Sequence, residues 1–256
     1  MKVLFIVVGL LTISLTGFSQ QSKKDRRSEN KQRINAMIKQ EEEGVIAYEK
    51  STVIGGKLIN DGYGVFFELG RAKSVKQGWL FQLELSERKH PKEEKLSYDF
   101  STPFIFGKQN FFYQVKLGVQ QERLLGNKSN KNGVSITYNY GGGLTLGLLR
   151  PYYVQLGDNG DYIKYDSPDS LQFLNPQAII AGPGFSQGWS DLKVTPGAYT
   201  KAAIRFDYGS YNEVVSALEV GVTAEYYSKN IPIMLRNDAK KFFLSGYVAF
   251  IFGKRK

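Results

Sequence analysis

The chain has no cysteine and a single histidine, His90. The first absence removes disulfides, thiol nucleophiles and thiolate metal sites, and the second removes multi-histidine metal centres. Also missing is any apolar run of the roughly 20 residues that a membrane-spanning helix needs. No phosphate-binding loop, dinucleotide fingerprint or metal-spaced carboxylate cluster occurs, so no cofactor is implied. Asp158-Asn159-Gly160-Asp161 lacks the later bidentate Glu of a calcium loop and reads as an exposed turn.

What remains is distinctive. The 256 residues include 27 Gly and 14% aromatics, and 34 Lys+Arg against 24 Asp+Glu give a net charge of +10. With a negative mean hydropathy, this composition excludes a helical membrane protein and leaves a soluble β protein or a membrane β-barrel. Met1-Lys2-Val3, an apolar run over 4–15 and then Thr16-Gly17-Phe18-Ser19-Gln20 have the form of a secretory signal peptide over 1–20. No Cys follows, so lipoprotein processing is excluded. Export also argues against nucleic acid as the partner of a basic chain.

Residues 21–60 read as a periplasmic N-terminal arm. Lys23, Lys24, Arg26, Arg27, Lys31 and Arg33 precede Glu41-Glu42-Glu43, and Ile34, Met37 and Ile38 form a thin stripe at helical spacing. Such an arm is either solvated and partly helical, or a docking helix whose basic face meets an acidic partner. The stretch 45–58 is β-prone without clean alternation, and Asn60-Asp61-Gly62 is a strong turn signal.

From residue 61 to 256 the pattern is period two, in eight stretches. Tyr63, Val65, Phe67 and Leu69 oppose Gly64, Phe66, Glu68 and Gly70. Val134, Ile136, Tyr138, Tyr140, Leu144, Leu146 and Leu148 oppose Ser135, Thr137, Asn139, Gly141, Gly143, Thr145 and Gly147. A short fifth stretch is read at 152–156. Several stretches exceed the usual five or six residues of soluble strands and suit the 9 to 11 that cross a bilayer. Large apolar residues on one face and Gly, Ser, Thr and charge on the other fit a narrow barrel lumen rather than a sandwich. The expectation is an all-β, antiparallel, up-and-down transmembrane barrel of about eight strands. With the first strand rising from Tyr63, the segment 87–109 becomes a long periplasmic loop.

This pattern, with the closing strand Gly246-Tyr247-Val248-Ala249-Phe250-Ile251-Phe252, resembles the small eight-stranded outer-membrane β-barrel proteins of Gram-negative bacteria over 63–253. The resemblance implies an integral outer-membrane location and a last strand read by the barrel assembly machinery. Gly253-Lys254-Arg255-Lys256 departs from the family, whose chains end on the aromatic. The charged arm, the Lys89-His90-Pro91-Lys92-Glu93-Glu94 loop and the barrel together look like uncharacterised barrels that serve as subunits of larger outer-membrane machines. Enzymatic members of the family use a His with Ser or Asp. Here His90 has no Ser beside it before Ser97 and reads as a surface residue, so no enzyme is expected.

Inward-facing charges should be Glu68, Glu84, Lys116, Lys201, Arg205, Asp207 and Glu219, with Glu122 and Glu225 near the upper rim, away from the periplasm. Arg205 and Glu219 fall at heights that let them pair. Eight strands leave room for side chains rather than a channel, so these charges should compensate one another. Candidate partner contacts are Arg26, Arg27, Arg33 and Met37 in the arm, Lys89 and Phe104 in the segment 87–109, Phe185 and Trp189 in the long loop 158–200, and Ile233. The long loop either folds back into the barrel mouth or covers a neighbour. Lys128, Lys131 and Arg236 suit lipopolysaccharide phosphates. The function these features suggest is a non-enzymatic structural or interaction subunit of an envelope complex for outer-membrane protein assembly or secretion. Its partners would be outer-membrane and periplasmic proteins, lipid and lipopolysaccharide. The alternatives are a narrow channel gated by the loop 158–200 and a hydrolase dependent on His90.

Overall fold

The computed structural model describes residues 48–97, 102–128, 133–157, 161–165, 170–209, 213–235 and 237–256. The export segment and the arm, with Arg26, Arg27, Arg33 and Met37, lie outside them, as do Lys131 and Arg236.

The strands follow in chain order as β1 (Lys50–Ile59), β2 (Gly62–Ser74), β3 (Gln77–Arg88), two short strands β4 (Lys95–Leu96) and β5 (Phe104–Ile105), then β6 (Asn110–Gly126) and β7 (Ser135–Pro151). After these come β8 (Tyr153–Leu156), β9 (Asp161–Lys164), β10 (Ile179–Ala181), β11 (Lys193–Asp207), β12 (Val214–Ile231) and β13 (Lys240–Arg255). Eight of them, β1, β2, β3, β6, β7, β11, β12 and β13, form a closed ring. Each pairs antiparallel with its neighbours along the chain, and β13 closes on β1. The barrel is therefore all-β, antiparallel and up-and-down.

Two strands differ from the sequence expectation. Lys50–Ile59, assigned to the arm, is the first barrel strand: Ser51, Val53, Gly55 and Lys57 are buried inward while Ile54 and Leu58 are exposed outward. Thr52 and Gly56 interrupt its outward face and Val53 interrupts its inward one, which hides the alternation. The barrel thus begins at Lys50 and not at 61. Tyr152–Leu156, expected in the wall, instead lies beside it: β8 pairs with β9 and β10 in a separate three-stranded sheet. Pro151 ends the wall strand, because it cannot donate to a ladder, and Tyr152 turns inward to a buried position.

One strand gained and one lost keep the count at eight but reverse the direction of the four strands between them, β2, β3, β6 and β7, while β11, β12 and β13 run as expected. The turns 75–76, 127–134 and 208–213 now share one end with the chain's described start and its C-terminus. We call it the turn end. The other, the loop end, carries the two-residue turn at 60–61 and the segments 89–109, 152–192 and 232–239. The segment 87–109 therefore sits with the other long loops, not with the short turns as expected. At the turn end Lys50 and Lys256 exchange both backbone hydrogen bonds at 2.8 Å.

The wall is inverted relative to a water-soluble protein. Ile54, Leu58, Leu117, Leu144 and Leu244 point outward with 60–71% of their surface open, while Glu68, Glu84, Lys116, Lys201 and Glu219 are buried inside. Over the loop end, a second core of Phe104, Ile105, Phe112, Tyr152, Val154, Phe173, Ile179, Tyr227, Ile231, Ile233 and Met234 joins the long loops to the barrel mouth. The described part of the loop 158–200 outside the wall, with Phe173 and Ile179 in this core, thus folds back over the barrel, the first of its two expected arrangements. Its last residues, 193–200, are not loop but the start of wall strand β11.

Candidate functional site

The lumen is the most chemically elaborate part of the molecule. Period-two geometry sends alternate side chains of each strand inward, and those positions carry opposite charges within reach of one another. Starting from the loop end, Arg88 holds Asp61 at 2.9 Å and Glu225 at 3.1 Å. Lys116 holds the same Glu225 at 2.7 Å and Glu84 at 3.1 Å, and Lys57 holds Glu84 at 3.0 Å. A second run follows toward the turn end. Lys201 meets Glu219 at 2.8 Å, Arg205 meets Glu219 at 2.8 Å, and Arg205 grips both oxygens of Glu68 at 2.8 and 3.0 Å. The two runs meet at Tyr247, whose hydroxyl donates to Glu219 at 2.8 Å and whose ring lies 3.9 Å from the Lys57 ammonium.

Neutral groups add further hydrogen bonds to the carboxylates. Gln114 donates to Glu225 at 2.7 Å and to the Tyr227 hydroxyl at 2.8 Å, and Asn139 donates to Glu219 at 3.2 Å. Five bases (Lys57, Arg88, Lys116, Lys201, Arg205) thereby face five acids (Asp61, Glu68, Glu84, Glu219, Glu225). In a medium of low dielectric such a set survives only if balanced and hydrogen-bonded, because an unpaired buried ion costs several kcal/mol.

Six of the seven charges expected inside join these runs, and Arg205 meets Glu219 as expected. Asp207 is the seventh. It lies at the turn end, in contact with Arg255 and 3.8 Å from Lys128. Glu122, expected at the same rim as Glu225, lies at the turn end instead, because β6 runs the other way, and takes a hydrogen bond from Tyr48. Sequence reasoning missed Lys57, Arg88 and Arg255. Parity alone carries the missing signal: Gln82, Glu84 and Ser86 continue to Arg88, and Val53 and Gly55 continue to Lys57. Lys128, offered to lipopolysaccharide, instead donates to the Gly209 carbonyl.

The expected partner contacts separate into two groups. Phe104 and Ile233 are buried in the core over the mouth, so neither presents a surface to a partner. The apolar side chains of these loop segments are covered by the chain itself. Lys89, Phe185 and Trp189 stay exposed. The Lys89 ammonium lies 4.9 Å from the Tyr63 ring centre. Trp189 stacks on Tyr113 at 5.6 Å and donates to the Phe185 carbonyl at 2.7 Å. Buried Arg150 sits 4.1 Å from the Phe111 ring and 4.9 Å from Trp189, and also donates to the Phe185 carbonyl. This cation–π cluster clamps the loop onto the outer wall.

His90 sits in the turn after β3. Its Nδ1 accepts the Lys92 amide N–H at 3.2 Å, which occupies the nitrogen a hydroxyl would need. Burial holds the imidazole below its ordinary pKa, against the opposing pull of Glu93. Nearby, burial likewise lowers Lys108, which Glu93 binds at 2.7 Å. Outside the wall, hydrogen bonds from Lys164 and Tyr153 hold the Asp191 carboxyl below its usual range.

An apolar exterior, a closed ladder with no free wall strand along most of its height, and an interior of paired charges define an eight-stranded transmembrane β-barrel with a filled lumen. No protein-family model and no curated protein matches the chain. Among solved structures it is similar to Neisserial surface protein A, at 9% identity and a TM-score of 0.40 over 81% of this chain and 96% of that one. It is also similar to Ail, the attachment invasion locus protein of Yersinia pestis, at 8% identity and a TM-score of 0.39 over 82% of this chain and 100% of that one. The N-terminal β-barrel domain of Pseudomonas aeruginosa OprF follows at 10% and 0.33, over 80% and 98%. At these TM-scores nothing is carried over from them to this chain.

Proposed function

We propose that the chain is a non-enzymatic outer-membrane barrel whose surfaces do its work, as a structural or interaction subunit of an envelope complex for outer-membrane protein assembly or secretion. One observation carries the reading: the lumen is packed with its own compensated ions. A tube filled in this way offers neither a pore nor a reacting group, which leaves the ends and the lipid-facing wall for function. Short turns at one end and long loops at the other match outer-membrane barrels, in which the short turns face the periplasm. In that orientation the basic arm of residues 21–47 lies in the periplasm with the chain start, and the capped loop end, with Phe185 and Trp189 exposed, faces outward. Partners would be outer-membrane and periplasmic proteins, with lipid and lipopolysaccharide around the wall.

The test is recovery of the tagged protein in gentle detergent, with co-purifying proteins identified by mass spectrometry. Stoichiometric envelope proteins, lost when residues 21–47 are deleted, are the expected result. A clean monomer in every detergent tried would sink the subunit reading.

A further inference from the structure

The barrel wall is not equally tall all round. The ladder between β1 and β13 stops at the pair Ile59–Tyr247 and a last bond from the Asn60 N–H to the Gly246 carbonyl at 3.1 Å. β13 continues six residues further, from Ser245 to Lys240, with β12 on one side and no strand on the other. Lys50–Lys256 and Asn60–Gly246 are hydrogen-bonded pairs, so the even-numbered residues of β13 aim their N–H and C=O groups toward β1. Above the turn at 60–61 that leaves the backbone groups of Phe242 and Leu244 aimed into a notch. β12 also bulges here, since its register with β13 jumps from Tyr226–Phe242 to Ile231–Lys240.

A cleft of about 520 Å³ fills this notch. Part of its wall is apolar, formed by Ile231, Met234, Phe242 and Leu244, and the last two are 54% and 65% exposed on the wall's outer side. Lys89, Lys92 and Lys240 also line it, all exposed. No described carboxylate lies within ion-pair distance of these three. Lys89 rests on Tyr63, and Lys92 donates to Asn237 at 3.0 Å. The cleft's Arg88 and Asp61 hold each other, which leaves Asp238 as the single uncompensated acid against three lysines.

We propose that this notch seats the phosphorylated headgroup of an anionic amphiphile from the surrounding leaflet. The inference rests on the membrane reading of the barrel. The acyl chains would run down the apolar wall past Phe242 and Leu244, and the phosphate would lie among Lys89, Lys92 and Lys240. The free N–H groups of Phe242 and Leu244 donate to headgroup oxygens, and their carbonyls accept headgroup hydroxyls. A neutral lipid leaves the lysines unanswered, and a bare phosphate leaves the apolar wall wet. Only a ligand with both parts satisfies the whole notch.

Native mass spectrometry of the full-length protein folded in neutral detergent tests this with three probes: dimyristoyl phosphatidic acid, dimyristoylglycerol and inorganic phosphate. One copy of the phosphatidic acid should bind about tenfold more tightly than either fragment. The variant K89A/K92A/K240A should lose about tenfold of that affinity, while K73A/K76A/K254A, which removes three exposed lysines at the turn end, should lose almost none. Equal binding of the diglyceride, binding of inorganic phosphate that matches the lipid, or equal loss in both variants would overturn the proposal. So would cross-linking of a polypeptide rather than lipid to a photoreactive residue at position 242 in cells. Heat-modifiable migration of each variant reports barrel folding separately, so loss of the fold is not mistaken for loss of the ligand.

Discussion

Arg205 makes the sharpest demand of any single residue. Its guanidinium serves Glu68 through two hydrogen bonds and Glu219 through two more contacts, all away from water. Arg205→Met would strand Glu68 in the lumen and leave Glu219 with Lys201 as its one cation, and breaking a buried pair from one side costs about 3–5 kcal/mol. The urea midpoint of unfolding, followed by the heat-modifiable band, should fall accordingly. Adding Glu68→Gln should recover part of the loss by removing one stranded charge. If Arg205→Met left the midpoint unchanged, the ion network would not be stabilising the barrel as described. Arg205→Lys should also weaken it, because an ammonium cannot match the planar fork that grips both Glu68 oxygens.

At the scale of the element, β1 decides the architecture. It pairs with β2 on one side and β13 on the other, and it fits only because Gly55 faces inward beneath the Phe66 ring. A Cβ at Gly55 would come within 3.0 Å of three Phe66 ring carbons. Gly55→Val should therefore cost about 1–3 kcal/mol through overpacking, and Phe66→Leu in the same chain should return some of it. Additive losses in that pair of variants would refute the contact.

The same strand marks how far the sequence could be read. Strands such as β2, β6 and β7 announce themselves through unbroken alternation, since each is buried on one side and faces lipid on the other. β1 does not, because Thr52 and Gly56 dilute its outer face and Val53 places an apolar residue on the inner one. Tyr152, Val154 and Leu156 alternate as well as a wall strand does. The four residues of β8 are too short to cross, and alternation cannot tell a sheet over the mouth from a strand in the wall. Most of the ion network followed from parity once the strands were known. What stayed hidden were the charges on strand ends taken for loops, Arg88 and Arg255, and the tertiary core that buries Phe104 and Ile233.

For the whole molecule, the filled lumen predicts electrical silence. Reconstituted in planar bilayers, the protein should give no discrete conductance steps, because ionic side chains buried at 0–2% exposure block the middle of the tube from both ends. Removing the long loop should not open it, since the block lies below the cap. Regular steps at low voltage in the intact protein would favour the gated-channel reading instead.

The bond between β1 and β13 ties residues Lys50 and Lys256 together across almost the full length of the described chain. A nascent chain cannot make this bond until Lys256 has left the ribosome. Up to that point any partial sheet presents two raw edges, each ready to pair with a stranger. Every copy must therefore be escorted unfinished from its synthesis to its membrane, and a C-terminal extension or lesion would strike the one seam that completes it.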